Sequence, residues 1–229
     1  EIIKKLFVSF FAALIIVSLS FFVYTLYTGR ITFGEMENPW DGETISISFT
    51  SGNGTKENPY IINSPEEFMF YKSLIEGDNY TNYQDKYYAI ESDLNFGDKS
   101  ISGIGIVNEN EERIFKGHLD GRGHRIYNIL IDKPINIEDY SYYTLFSKVK
   151  DASISNLNID NISIKIENNE EKIITGIFGN LNVSNPENEE ELVFINDLSI
   201  QNLVIDYSKN EQENNYIGLL GYNIDNKTN

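Results

Sequence analysis

The sequence predicts an all-β solenoid, a parallel β-helix covered at its start by a short helix and preceded by one transmembrane helix. Three observations carry this reading. Ile154 to Ile164, "ISNLNIDNISI", and Ile195 to Ile205, "INDLSIQNLVI", place an aliphatic residue in every matching slot when laid 41 residues apart. A second series, "YTLFS" (143–147), "TGIFG" (175–179) and "IGLLG" (217–221), interleaves with the first in the same order. Finally, Leu6 to Tyr27 runs for 22 residues without a charge.

The apolar run defines the first boundaries. As a helix it would be roughly 33 Å long, enough for a hydrocarbon core of about 30 Å. Its only polar residues are scattered Ser, Thr and Tyr, so it lacks the polar face of a soluble core helix. Lys4 and Lys5 precede it, whereas Arg30 is followed by Glu35, Glu37 and Asp41. That bias puts the N-terminus inside and the remainder outside. A cleaved signal peptide is the alternative, but the run is long and no small-x-small site follows it. The division expected is a cytoplasmic stub at 1–5, a signal anchor at 6–28, a linker with a first strand at 29–58, and the β-helix at 59–229.

Within the linker, "TISISF" (Thr44 to Phe49) alternates like a strand. "TSGNGTKENPY" is a Gly-, Asn- and Pro-rich loop, and "YIIN" (Tyr60 to Asn63) reads as a short buried strand. Ser64-Pro65-Glu66-Glu67 then starts a helix: Ser64 caps, Pro65 suits the first turn, and Glu67 is a capping-box partner. Phe68, Tyr71 and Ile75 fall on one face, and Gly77 ends the helix. "KYYAIESDLNF" (Lys86 to Phe96) returns to strand composition.

The repeats come next. "IYNILI" from Ile126 lies over "ISNLNI" from Ile154 at an offset of 28, with Asn128 over Asn156. Unequal offsets mean that loops vary while the strand core does not, as in a solenoid. The acidic stretches "VNENEER", "NPENEEE" and "KNEQENN" take up the extra length. Asn128, Asn156, Asn161 and Asn202 read as corner residues, because Asn tolerates left-handed backbone and bonds to nearby peptide groups. A β-sandwich also has short strands, but it does not require the same residues in the same slots. The last coil, "YIGLLGYNIDNKTN", opens without closing, which predicts that the natural protein continues beyond Asn229.

Composition narrows the function. A net charge of −17 argues against nucleic acid. The absence of cysteine excludes disulfides and thiolate metal sites. Five Asn-x-Ser/Thr matches are a product of the Asn-rich composition.

The blocks "GNGTKENPYIINSPEEF", "YYAIESDLNF", "FKGHLDGRGHRIYNILI" and "LFSKVKDASISNLNI" resemble successive blocks of bacterial surface proteins with GLUG-type repeats. Gly176-Ile177-Phe178-Gly179 and Gly218-Leu219-Leu220-Gly221 match the repeat's opening, and Tyr143 to Ser147 is a copy lacking both glycines. The resemblance runs from about Gly52 to the end. It implies a right-handed parallel β-helix displayed on a bacterial surface, and no single activity.

The stretch Phe115 to Asp132 is the most chemical part of the chain, with both histidines. His118, Asp120 and His124 are metal-ligand types, but zinc wants three or four convergent ligands and the sequence specifies no more. Asp120, Arg122, Arg125 and Asp132 could serve a polysaccharide lyase or glycosidase, yet later coils carry Ser, Asn and Gln in their place. The expected roles are structural: Gly117, Gly121 and Gly123 at tight corners, Phe115, Leu119, Ile126 and Ile129 in the core, Asp120 in a turn. No catalytic, cofactor-binding or metal residue is assigned, and no cofactor. The tyrosines of "DNYTNYQDKYY" (Asp78 to Tyr88) could supply a sugar-stacking platform, but they are expected to pack. The expected function is adhesion or partner binding, to a host or cell-surface glycan or protein, from a single-pass membrane anchor. A structural stalk is the alternative, and a polysaccharide-active enzyme the third reading.

Overall fold

The computed structural model describes residues 39–108, 111–137, 140–166, 172–182, 193–207 and 215–217. These lie in one compact unit, Asn38–Asn229. The apolar run at 6–28 and the final "GLLG" lie outside the described residues. Among the described residues no helix is long and apolar enough to cross a membrane.

The chain is mostly β, and its larger sheet curls into a half-barrel. In chain order the strands of that sheet are β1 (Tyr60–Ile62), β2 (Tyr87–Ile90), β3 (Leu94–Ser102), β6 (His118–Asp120), β7 (Arg125–Lys133), β10 (Ser153–Lys165) and β12 (Phe194–Asp206). Every pairing is parallel. One edge of β10 takes β6 and then β7, and the other takes β12. A smaller sheet holds β8 (Ile135–Ile137), β9 (Tyr140–Lys150), β11 (Ile173–Asn182) and β13 (Asn215–Ile217). There β9, β11 and β13 are parallel, while β8 joins β9 antiparallel. At the two ends of the acidic stretch "VNENEER", β4 (Ile106–Asn108) and β5 (Glu111–Arg113) pair antiparallel. These antiparallel pairs break the all-parallel expectation.

The curl has a local cause. Along β10 the buried residues are Ile154, Leu157, Ile159, Ile162 and Ile164, so the inward step alternates between three and two. Strict alternation would give two throughout. Each three-residue step contains an asparagine at positive φ, Asn156 (51°) and Asn161 (49°). The left-handed residue bends the strand and returns the next aliphatic to the inner face, as a bulge does. Asp197 and Asn202 do the same in β12, and Asn128 in β7.

The corner side chains also link neighbouring strands. Asn161 Nδ2 donates to Asn128 Oδ1 at 2.6 Å, and Asn128 Nδ2 to Asn95 Oδ1 at 2.9 Å. Asn156 reaches Asp120, and Asn202 reaches Asp160. Asn161→Ala should therefore cost about 2 kcal/mol, the sum of a strained left-handed alanine and one lost hydrogen bond. Asn161→Gly should recover the backbone part. Urea unfolding of the two variants separates the contributions, and equal midpoints would sink this account.

Registers match the sequence overlay in one place and correct it in another. Ile154 pairs with Ile195 and Ile164 with Ile205, in the slots expected. Tyr143 pairs with Thr175, and Thr175 with Ile217. The offset of 28 for "IYNILI" is wrong, because Ile126 pairs with Ile159 and Leu119 with Ile154. Four residues, 121–124, span the step that Asn156 and Leu157 span in β10, so no single offset fits both halves. Asn128 consequently answers to Asn161, not Asn156.

One further expectation fails, and another is met by a different physical cause. "TISISF" is not a strand: Ile47 is 92% exposed and Ile45 is exposed too, and only Phe49 packs. Ser46 Oγ bonds to the Ser48 carbonyl, and the Ser46 amide donates to the Glu66 carbonyl. That holds the segment as a strap on the helix. Gly117 and Gly121 stand at a bend and at the start of a turn, where the His124 amide donates to the Gly121 carbonyl, without left-handed backbone. They are sites of close approach, where a Cβ would lie 2.7 Å from the Lys86 carbonyl oxygen and 2.5 Å from that of Asn156. Gly123 alone of the three has positive φ, 81°.

Helix α1 (Pro65–Glu76) follows its predicted bounds. The Glu67 amide donates to Ser64 Oγ, while the Glu67 carboxylate accepts from the Asn63 amide, one residue beyond a capping box. Its buried face sets Phe68 against Phe96, and Tyr71 against Tyr88 and Phe115. A short helix α2 (Tyr80–Tyr83) follows, and Tyr88 donates its hydroxyl to the Tyr83 carbonyl. Burial of these rings and the Ile ladders supplies the core, at about 1.5–3 kcal/mol per large apolar side chain.

Candidate functional site

Strand register decides which side chains reach the surface together. Tyr88, Leu119 and Ile154 are paired neighbours and all buried. Their predecessors Tyr87, His118 and Ser153 are likewise paired, and alternation turns them outward. Tyr87 and His118 stack with ring centroids 4.1 Å apart and planes 18° apart. His118 Nδ1 is 2.8 Å from Ser153 Oγ. One strand position further along, Ala89, Asp120 and Ser155 form a second row, in which Asp120 and Ser155 are part-exposed and Ala89 is buried.

A cavity of about 330 Å³ lies over these rows. Lys56 and Pro59 of the loop before β1 line it from one side, and Arg122 joins Asp120 and Ser155 in the lining. Two loop glycines position Lys56's loop. Gly52 (φ 98°) would put a Cβ 1.9 Å from the Pro59 carbonyl oxygen, and Gly54 (φ 77°) would meet the Tyr60 ring. At Gly52 no other residue type fits without displacing the backbone, and at both positions the left-handed φ favours glycine.

The charges are arranged unequally. Arg122 is held by Glu91, and its amide donates to Asp120 Oδ1 at 2.9 Å in the expected Asp-Gly turn. Asp120 Oδ1 also accepts from Asn156 at 2.9 Å. Lys56 is exposed and has no carboxylate partner among the described residues.

Burial lowers the proton affinity of His118 below the usual 6.5, and the nearby Lys56 ammonium lowers it further, opposed by Asp85. The folded state therefore favours neutral imidazole, and the unfolded chain binds more protons below about pH 6.5. Stability from this group is complete above that pH and is lost as pH falls through the folded value. His118→Gln should flatten the decline in melting temperature between about pH 6.5 and 5, above the carboxylate range. An unchanged slope in the variant would show that His118 is not the group responsible.

The trio His118, Asp120 and His124 is not brought together as a metal site. His124 Nδ1 sits 3.3 Å from Asp93 Oδ1, in a separate cluster where Arg125 Nε also meets Asp93 Oδ2 at 2.6 Å. Burial pushes the Asp93 carboxyl up, but hydrogen bonds from Arg125 and His124 together outweigh it and leave it lowered. Among the described residues no three His, Asp or Glu side chains form a group able to hold a metal ion. Asp132 accepts from Ser100, while Arg125 lies over the Tyr127 ring at 4.2 Å and pairs with Asp93. Of the four residues weighed for an enzyme, Asp120 and Arg122 thus meet at the cavity, while Arg125 and Asp132 have partners elsewhere. Sequence reading missed Lys56, Ser153 and Ser155, and it expected Tyr87 to pack. Their signal was the outward alternation of "HLD" and "SIS", which needs the true register to be seen.

A second cavity, of about 270 Å³, is lined by Ile47, Phe49, Tyr60, Phe70 and Tyr83. Phe49 stacks on Tyr60 at 4.7 Å. It is the aromatic strap against the loop, and most of its rings are packed on one another.

No family model matches the chain, and no solved structure matches it significantly. One relative is a protein of Evansella cellulosilytica provisionally described as a Gly-rich membrane protein. It is 28% identical over 132 residues, which cover 55% of this chain. The aligned part spans 14% of that protein's own length.

Proposed function

We propose that the chain is a binding module displayed outside a bacterial membrane, a right-handed parallel β-helix of the GLUG-repeat kind held by an anchor at residues 6–28. The cavity over Tyr87, His118 and Ser153 is the observation that carries this reading. It sits on the outer face of the parallel strands, with a loop at its rim and an unpaired cation in its lining. A spacer has no use for such a recess, whereas a binding module needs one. The β-helix reading draws on the parallel ladders, in which equivalent aliphatics stand opposite one another across β7, β10 and β12. The displayed location draws on the uncharged run at 6–28 and on the membrane description of the Evansella relative.

The partner class is a surface glycan or protein. The test is a binding screen of the full chain, held in detergent, against glycans and matrix proteins. Saturable binding supports the proposal. A folded, β-rich chain that binds nothing would overturn it in favour of a stalk.

A further inference from the structure

We infer that the Tyr87–His118–Ser153 cavity takes an acidic saccharide residue, whose carboxylate is bound by Lys56. This rests on the surface-binding reading and names its site and ligand chemistry.

The size is the first constraint. At about 330 Å³ the cavity is at the small end of the roughly 300–1,000 Å³ of small-molecule sites. A folded partner would not enter it, while a sugar unit at the end of a chain would. Composition is the second. A pyranose combines a C–H face with a rim of hydroxyls, and the lining combines both complements. Pro59 and the Tyr87–His118 stack offer apolar and aromatic surface. Ser155, Ser153 and the second ring nitrogen of His118 offer hydrogen bonds, since only Nδ1 of the imidazole has a protein partner among the described residues. Aromatic groups with a polar edge suit a ligand that is apolar on one side and wet on the other.

Charge is the third constraint. Arg122 is neutralised by Glu91, and Asp120 is occupied by the Arg122 amide and Asn156. Asp120 keeps its negative charge, and Lys56 is the cation of the lining with no carboxylate partner among the described residues, at an exposed loop position that leaves its ammonium free to reach a ligand anion. A carboxylate there gains a charge-assisted hydrogen bond that a neutral sugar lacks. It would also cancel the Lys56 field at His118. The other charged groups near that ring are Asp85, Asp120 and Arg122.

The experiment exploits the chain's two histidines. Their ring ¹⁵N signals are recorded on the full chain in detergent and assigned with His124→Gln. Uronate oligosaccharides from animal matrix and from bacterial wall are titrated separately, beside a neutral oligosaccharide of equal length. The expected result is a saturable shift of the His118 signal, with its titration moved to higher pH, for a uronate and not for the neutral sugar. Whichever uronate arm responds identifies the source. Lys56→Gln, an exposed substitution that leaves the core untouched, should weaken binding at least tenfold. Equal binding of neutral and acidic sugars, or no effect of Lys56→Gln, would overturn the inference. Glycan binding that leaves His118 unmoved would overturn it too, while keeping the wider surface-binding reading. Failure to bind any glycan or protein would overturn both.

Discussion

Phe146→Ala is expected to destabilise the protein by about 4 kcal/mol, within the usual cost of removing a fully buried aromatic ring. Phe146 is inaccessible to solvent and central to a column of rings. It stacks on Phe178 at 5.4 Å with planes 16° apart, and meets Phe115 at 5.8 Å; Phe115 in turn meets Tyr71 of α1. The column therefore ties the smaller sheet to the helix. Its loss leaves a cavity that strands fixed on both sides by backbone bonds cannot close. For a chain of this size each kcal/mol is worth about 2–4 °C, so the melting temperature should fall by roughly 12 °C. Phe146→Leu, which refills most of the volume, should lose less than half as much. Thermal melts followed by far-ultraviolet circular dichroism distinguish them, and a loss under about 1 kcal/mol for alanine would show that the column does not act as a unit.

The second large effect is expected at Gly103. A Cβ there would lie 2.1 Å from the Thr144 carbonyl oxygen and 2.8 Å from Ser147 Oγ. The first of these is strand backbone and cannot rotate away. Gly103→Ala should push the chain off β9 and break two bonds beside it, Ile104 amide to Leu145 carbonyl at 2.8 Å and Ser147 amide to Ile104 carbonyl at 2.9 Å. Overpacking of this kind costs about 1–3 kcal/mol, and two weakened backbone bonds bring the expected total to roughly 4 kcal/mol. Hydrogen exchange should show Ile104 and Ser147 deprotected far more than the amides of β10. Gly123→Ala is the comparison: it has positive φ but open space around it, so it should cost only about 1–2 kcal/mol. If Gly103→Ala proved as mild as Gly123→Ala, the close approach at Gly103 would not be real.

Much of the β-structure was legible because aliphatic residues occupy the same slots wherever strands are paired. Ile154 on Ile195 needed only that rule, and Thr175 on Ile217 followed from the second repeat series. Asn128, Asn156, Asn161 and Asn202 were legible as corners because few residue types accept positive φ, and all four have it. The helix at Pro65–Glu76 was announced by Ser64 and Pro65. Alternation misled at Thr44 to Phe49, where Ile45 and Ile47 mimic a strand face yet have no sheet to pair with. The site was the least legible part. His118 and Asp120 stood out by residue type, but their partners Tyr87, Ser153 and Lys56 lie on other strands or loops. They join only when Leu119 is placed beside Ile154, and the overlay had placed Ile126 there instead.

The four-residue step at 121–124 has a consequence for how this protein can change. It carries two residues more than the equivalent step in β10, yet Leu119 and Ile126 on either side keep their pairing with Ile154 and Ile159. Length is thus uncoupled from register at this point, and the Cβ direction of Gly123 faces no atom within 4 Å. A foreign peptide grafted between Arg122 and Gly123 would extend the same detour, at an entropic cost that grows by only about 0.6 kcal/mol per doubling of loop length. Because Arg122 lines the cavity, such a library would vary the cavity's border while the scaffold beneath stayed fixed. The corner is a natural place for diversification, and a practical one for displaying epitopes.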